Sequence, residues 1–301
     1  MWDILARAGC FAAIILLGIL LRRAGFFKRE DFHILSRIVI NITLPAAIIT
    51  NFSGRTLEYA LLLIALAGFI FGIFLMSAAY LLNRRRNASD RAFAVLNSAG
   101  VNVSNFVLPF VQGFLGPAGV MAVSLFDVGN AVICLGGAYG VADMIANKKS
   151  RFSLKPVLRS LACSVPLVTY IIMCLFSAFR ISLPGPVVDL AGIIGSANPF
   201  LAMLMLGVGF RFSTNRIPEV LRILLPRYLI GIVFAVLCWM FLPVPTLYRQ
   251  ALVIPFLGPV SSAVPAYTAR MKGDYELSSA INSFSILVSI LLIVAVLLSM
   301  V

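Results

Sequence analysis

Windows of about 20 apolar residues, the length a bilayer core requires of a helix, follow one another almost without interruption along this 301-residue chain. That tiling leaves no room for a separate soluble domain. With 61% hydrophobic and only 12% charged residues, the composition lies outside the range of soluble domains and predicts an all-α polytopic membrane protein. Charges and turn residues divide the apolar runs into ten expected spans: Ile4 to Leu21, Ile34 to Phe52, Leu57 to Leu82, Ala92 to Leu115, Ala118 to Ala146, Val157 to Phe179, Val187 to Phe210, Val220 to Leu242, Ala251 to Ala269 and Leu277 to Val301.

The basic residues are distributed as a test of that count. Odd-numbered loops hold sixteen Lys and Arg, whereas the even-numbered loops hold only Arg55, Arg180 and Arg249. By the positive-inside rule the odd loops face the cytoplasm and both termini lie outside. The net charge of +13 is thereby assigned to topology rather than to nucleic acid. Arg37, Arg159, Arg222 and Arg227 fall just inside spans at the cytoplasmic side, where long stems can snorkel, so no basic residue is expected near the centre of a span. The first apolar stretch has Asp3 before it and Arg22 and Arg23 after it, the reverse of a signal peptide, and is expected to remain as a helix.

Within the fourth span lies NSAGVNVSNFVLPFVQG, residues 97–113, with three asparagines, two serines and a proline where hydrocarbon is expected. A proline inside a helix removes one hydrogen bond and leaves carbonyls in need of partners, which lipid cannot supply. The ninth span carries GPVSSAVPAY with Pro259 and Pro265, and spans two and seven carry Pro45 and Pro199. Prolines thus recur at equivalent places in two sets of five spans. An odd number per set means that the second enters the membrane the opposite way, the inverted-repeat plan of many carriers. The expected organisation is residues 1–146 as the first five-helix repeat, 147–156 as a short cytoplasmic linker and 157–301 as the second repeat, with helices 4 and 9 broken and crossing near the midplane.

A half-helix that begins at a break presents unpaired N–H groups and a partial positive charge, which can hold a carboxylate. Asn97, Asn102, Ser104, Asn105, Ser261 and Ser262 are candidates for satisfying the freed backbone, and Asn102, Ser104, Asn105 and Pro109 with Ser261, Ser262 and Pro265 are candidates for lining a substrate site. Asn41, Asn198 and Asn282 are further amides with either a pocket or a packing role. Asp127, about ten residues into the fifth span and sharing a face with Asn130, is a candidate carrier of a coupling proton or ligand of a cation, or else a structural acid bonded by amides. His33 is the only histidine and reads as interfacial. The five cysteines have no paired spacing and read as packing residues, and neither a cofactor nor a metal is expected.

Four segments, RRAGFFKREDFHILSRIVINITLPA, NVSNFVLPFVQGFLG, FLAMLMLGVGFRF and VPAYTARMKGDYELSSAINSFSILVSI, together resemble the auxin efflux carrier family in its short bacterial form, within the bile acid/auxin/arsenite carrier superfamily. Asn102, seven residues before Pro109, matches a substrate-binding asparagine of that family, and Pro265, Ala269 and Arg270 match its second motif. The resemblance implies a homodimeric, ten-helix carrier with an elevator-like movement and organic anions as substrates, auxin in plants and dicarboxylates such as malate or malonate in bacteria. Ser104 and Val107 stand where the family usually has glycines, and the short NKKSRFSLKP replaces the long central loop of plant members. The expected function is therefore a secondary transporter of mono- or dicarboxylates in the cell membrane, surrounded by lipid and coupled to protons or to none. The alternative is a sodium-coupled symporter of the bile-acid type. A membrane-embedded enzyme or a channel is a distant reading, since no H-E-x-x-H motif and no pair of intramembrane aspartates is present.

Overall fold

The computed structural model describes residues 2–28, 30–55, 62–147, 151–210 and 216–299. Four loop cations, Arg29, Lys148, Lys149 and Arg211, and the expected start of the third span at Leu57 lie outside the described residues. In chain order the helices are α1 (Trp2–Arg23), α2 (Asp31–Phe52), α3 (Leu62–Leu82), α4 (Ala88–Ser98), α5 (Val103–Phe114), α6 (Gly116–Ala146) and α7 (Leu154–Ala162). They continue as α8 (Val165–Ala178), α9 (Gly185–Gly209), α10 (Ile217–Phe241), α11 (Thr246–Phe256), α12 (Val264–Arg270) and α13 (Tyr275–Ser299). No β-strand occurs among the described residues. Local chemistry sets several ends: the Asn87 side chain accepts from the Asp90 amide at 2.7 Å to start α4, and Asp274 accepts from the Leu277 amide at 2.9 Å to start α13.

Seven of these helices, α1, α2, α3, α6, α9, α10 and α13, are long and apolar enough to cross a membrane. The other three expected spans are not single rods. The sixth is α7 and α8, bent by 68° at Cys163 and Ser164. The fourth and ninth are the pairs α4/α5 and α11/α12, each too short singly to cross.

Packing sorts the helices into two layers. In one, α1 and α2 lie against α9, and α8 lies against α2. In the other, α3 packs on α6, α4 on the second half of α6, α10 on α11 and α12 on α13. Small residues permit the closest of these approaches. A Cβ added to Gly129 on α6 would lie 1.9 Å from the Ala65 carbonyl oxygen, and one on Gly68 of α3 would lie 2.3 Å from that of Phe126, so only glycine lets these backbones meet. Outward faces remain apolar, as with Leu221, Leu225, Leu229 and Met240 on α10, the surface that hydrocarbon covers.

Candidate functional site

The two breaks touch. Between α4 and α5 the chain turns at Gly100, whose φ of 73° is one that glycine adopts without penalty, and Val101 then pairs antiparallel with Val260 in the α11/α12 break. The Asn102 amide donates to the Pro259 carbonyl at 2.9 Å. A Cβ on Gly258 would stand 2.6 Å from Val101 Cγ1 and 2.8 Å from Val107 Cγ2, so the crossing is built around a missing side chain.

Each bridging peptide is held by an asparagine from the long helix that follows its break. Asn130 on α6 accepts from the Val101 amide and donates to the Val101 carbonyl, both at 2.9 Å. Asn282 on α13 donates to the Val260 carbonyl at 2.8 Å, and Ser285 Oγ accepts from the Val260 amide at 3.0 Å. Ser289 donates to the Leu257 carbonyl at 2.6 Å. The polar residues inside the breaks, expected to satisfy the freed backbone, do so only in small part: Ser261 Oγ accepts from the Ala263 amide at 3.4 Å, and most of the rest bond to side chains. Asn97 ties α4 to α13, accepting from Ser278 at 2.6 Å.

One cation departs from the sequence expectation. Arg227 on α10 does not snorkel. It is 2% exposed, about 15 Å along its helix at 1.5 Å per residue, and it donates to the Ser98 carbonyl of the first break and to the Gly258 and Pro259 carbonyls of the second, the latter two at 3.1 and 3.3 Å. A basic residue therefore does stand in the interior. Ser98 ends α4, and Gly258 and Pro259 follow α11, so the guanidinium sits where two helix dipoles present their negative ends. Arg37 and Arg159, by contrast, are exposed.

On one side of the crossing lies a cavity lined by Asn102, Ser104, Asn105, Asp127, Asn130, Ser261 and Ser262 from one layer and by Ile40, Leu167 and Tyr170 from the other. Asp127 accepts from Ser104 Oγ at 2.8 Å and from Asn130 Nδ2 at 3.0 Å. Asn105 Nδ2 donates to Ser262 Oγ at 3.0 Å. Among these lining residues Asn102 Nδ2 and Asn105 Oδ1 are buried without a hydrogen-bond partner, and the Tyr170 hydroxyl, beside Asp127, Ser104 and Ser124, makes no hydrogen bond of ordinary geometry. Buried polar atoms are nearly always paired, so unpaired atoms on three residues of one lining make it the candidate place for a guest, which would meet them once these buried side chains turn toward it. Wide, π-helical turns at Val39–Thr43, Val103–Val107 and Ile133–Gly137 flank it, a distortion frequent at functional sites. Ser262 is shared with a second cavity that reaches Arg22, His33, Pro265, Ser279 and Asn282.

The structure thus gathers Asn102, Ser104, Asn105, Asp127, Ser261 and Ser262 around one space and places the remaining candidates elsewhere. Pro109 is buried within α5 and Pro265 faces the second cavity. Asn41 is exposed and donates to the Arg37 carbonyl of its own helix at 3.0 Å. Asn198 is fully buried, accepting from Thr43 at 3.0 Å and donating to Gln112 at 3.4 Å, which links the two layers. Tyr170 and Cys134 were not among the sequence candidates. Cys134 lines the cavity, with its Sγ 3.4 Å from Asn130 Oδ1, and so belongs to the crossing rather than to general packing. Neither carries a local motif, and only the pairing of α8 with α2 and α6 brings Tyr170 to the site.

Long apolar helices interrupted at two touching breaks, with a polar space beside them, are the architecture of a membrane transport protein. The chain matches the family model described as membrane transport protein over residues 11–298 and belongs to that family, which bears out the likeness to auxin efflux carriers. It is also 25% identical over 212 residues, 68% of each chain, to an uncharacterized transporter of Methanothermobacter thermautotrophicus.

Proposed function

We propose that this transporter carries small organic anions, mono- or dicarboxylates, and binds them in the cavity beside the first break. The supporting observation is the set of orphaned polar atoms. Asn102 Nδ2 is a donor awaiting an acceptor, and the Tyr170 hydroxyl, beside Asp127 without a bond of ordinary geometry, is a second that a guest can take. The Asn105 amide becomes a third on turning over, because the Ser262 hydroxyl can donate as readily as it accepts. The first-turn amides of α5 add the positive end of a helix dipole. A carboxylate carries the acceptor oxygens and negative charge that such a set of donors favours.

Asp127 gives this site its coupling. Two ionised carboxylates in one low-dielectric space repel strongly, so the anion binds with Asp127 protonated and the two travel together. In this reading α4/α5 and α11/α12 are the fourth and ninth of ten spans, residues 1–146 and 157–301 are inverted repeats, and both termini face outward from the cell membrane. Elevator movement is favoured by the position of the cavity between the two layers, with the second cavity as the other access route. The homodimer rests on the family resemblance alone.

The test is a thermal-shift screen of purified protein against mono- and dicarboxylates at two pH values. At least one carboxylate is expected to raise the melting temperature, more so at the lower pH, while its uncharged amide does not. Asn102→Ala is expected to weaken that anion by about ten- to a hundredfold, since a hydrogen bond to a charged group is worth about 1.5–3 kcal/mol. Full affinity in the variant would move the site away from the break.

A further inference from the structure

Arg227 lies outside the cavity described above and makes no ion pair with a carboxylate among the described residues. A buried, unpaired cation inside a membrane helix is costly, and it is retained only where something specific offsets the loss of water. Here the offset is a cage of carbonyl oxygens. Ser98 contributes from one break, Gly258 and Pro259 from the other, and among the described residues only Arg227 donates to all three, the Asn102 amide sharing the Pro259 carbonyl. Carbonyl oxygens gathered from irregular backbone are the ligand set that a hard metal cation such as sodium takes. The remaining bridge carbonyls are also engaged: Val101 by Asn130 and Val260 by Asn282.

We propose that Arg227 is a tethered cation, filling the carbonyl cage where the two breaks meet, so that this carrier holds its crossing together without sodium. The guanidinium suits the task because it stays charged and its two terminal nitrogens reach three acceptors at once, while Nε stays unpaired. The positive charge that the crossing needs travels with the protein, and the transmembrane sodium gradient has no site here on which to act. Arg227 is accordingly a positioning residue, holding Val101, Asn102 and the start of α5 in place without touching the anion. The proposal extends the anion-carrier reading to its coupling ion, but the main measurement needs no substrate.

Purified wild type and Arg227→Ala are melted in choline, sodium and guanidinium chloride at equal, low millimolar ionic strength. Wild type is expected to melt at the same temperature in sodium as in choline. Arg227→Ala is expected to melt several degrees lower and to regain at least half of that loss with a saturable dependence on guanidinium, which wild type does not show. Absence of rescue by guanidinium in a folded Arg227→Ala protein overturns the proposal, as does saturable stabilisation of wild type by sodium. The wild-type comparison decides even where the alanine variant does not fold, and Arg227→Lys, which keeps the charge, is expected to fold and stay indifferent to sodium. Guanidinium rescue without any carboxylate effect would sink the anion reading and leave the tethered cation standing.

Discussion

The two breaks are built alike and left in different states. Each has a bridging valine, Val101 or Val260, whose peptide is clasped by an asparagine on the next long helix, Asn130 or Asn282. Three residues before those asparagines stand Asp127 and Ser279 respectively. Around the first break Asn102, Asn105 and Tyr170 keep orphaned polar atoms. Around the second, Ser285, Ser289 and Arg227 close off the amide and carbonyls of residues 257–260, and the unpaired atom there, Arg227 Nε, belongs to the anchoring side chain itself. One plan thus serves two tasks: the second break anchors, and the first keeps hydrogen-bonding capacity in reserve. In the proposed reading, that difference separates what holds the crossing together from what would receive the substrate.

The largest expected effect tests the shared plan. Asn130→Ala and Asn282→Ala each strand buried backbone groups, at about 1–3 kcal/mol per group, so both are expected to lower the melting temperature in detergent markedly and by similar amounts. A loss confined to one of them would show that the breaks are not built alike. Next come substitutions that should divide the two tasks. Tyr170→Phe removes an orphaned hydroxyl and is expected to leave stability unchanged while weakening carboxylate affinity severalfold in a binding titration. Ser285→Ala removes the acceptor of the Val260 amide and is expected to lower stability by about 1–2 kcal/mol with affinity preserved. The reverse pattern would exchange the tasks of the two breaks.

Asp127→Asn probes the residue that distinguishes the breaks chemically. In wild type, uptake into proteoliposomes should fall as pH rises through ionisation of Asp127, and in the variant it should be flat with pH while anion binding persists. A pH dependence equal to wild type in the variant would remove Asp127 from coupling. The smallest effect is a control remote from both breaks. Asp274 is raised by partial burial, but the Leu277 amide and Arg216 outweigh that and hold its carboxyl below the ordinary value. A depressed carboxyl stabilises the fold above its unfolded value and loses that contribution as pH falls through the folded one. Because the Arg216–Asp274 pair is more than a third exposed, Arg216→Gln is expected to cost under about 1 kcal/mol, read as a small melting shift near neutral pH that vanishes in acid, and to leave anion affinity untouched.

Much of this was legible in the chain because the membrane is an exacting solvent. Polar residues and prolines inside apolar runs have few permitted explanations there, which is why residues 97–113 and 258–267 stood out as breaks before any contact was known. Asp127 was legible for the same reason. Tyr170 was not, since a tyrosine in an apolar helix looks the same facing lipid, a neighbour or a cavity. Nor was Arg227, whose place near a span end fits a snorkelling side chain as well as a buried one.

By itself the sequence determined that the chain lives in a bilayer, where its helices are interrupted and which polar groups have no business in hydrocarbon, because hydropathy and proline stereochemistry act on neighbours along the backbone. Only the tertiary structure decided which of those polar groups are already paired and which are left open. Pairing joins residues far apart in the chain, such as Arg227 with Ser98 or Asn97 with Ser278, and depends on which helices the two layers bring within hydrogen-bonding reach.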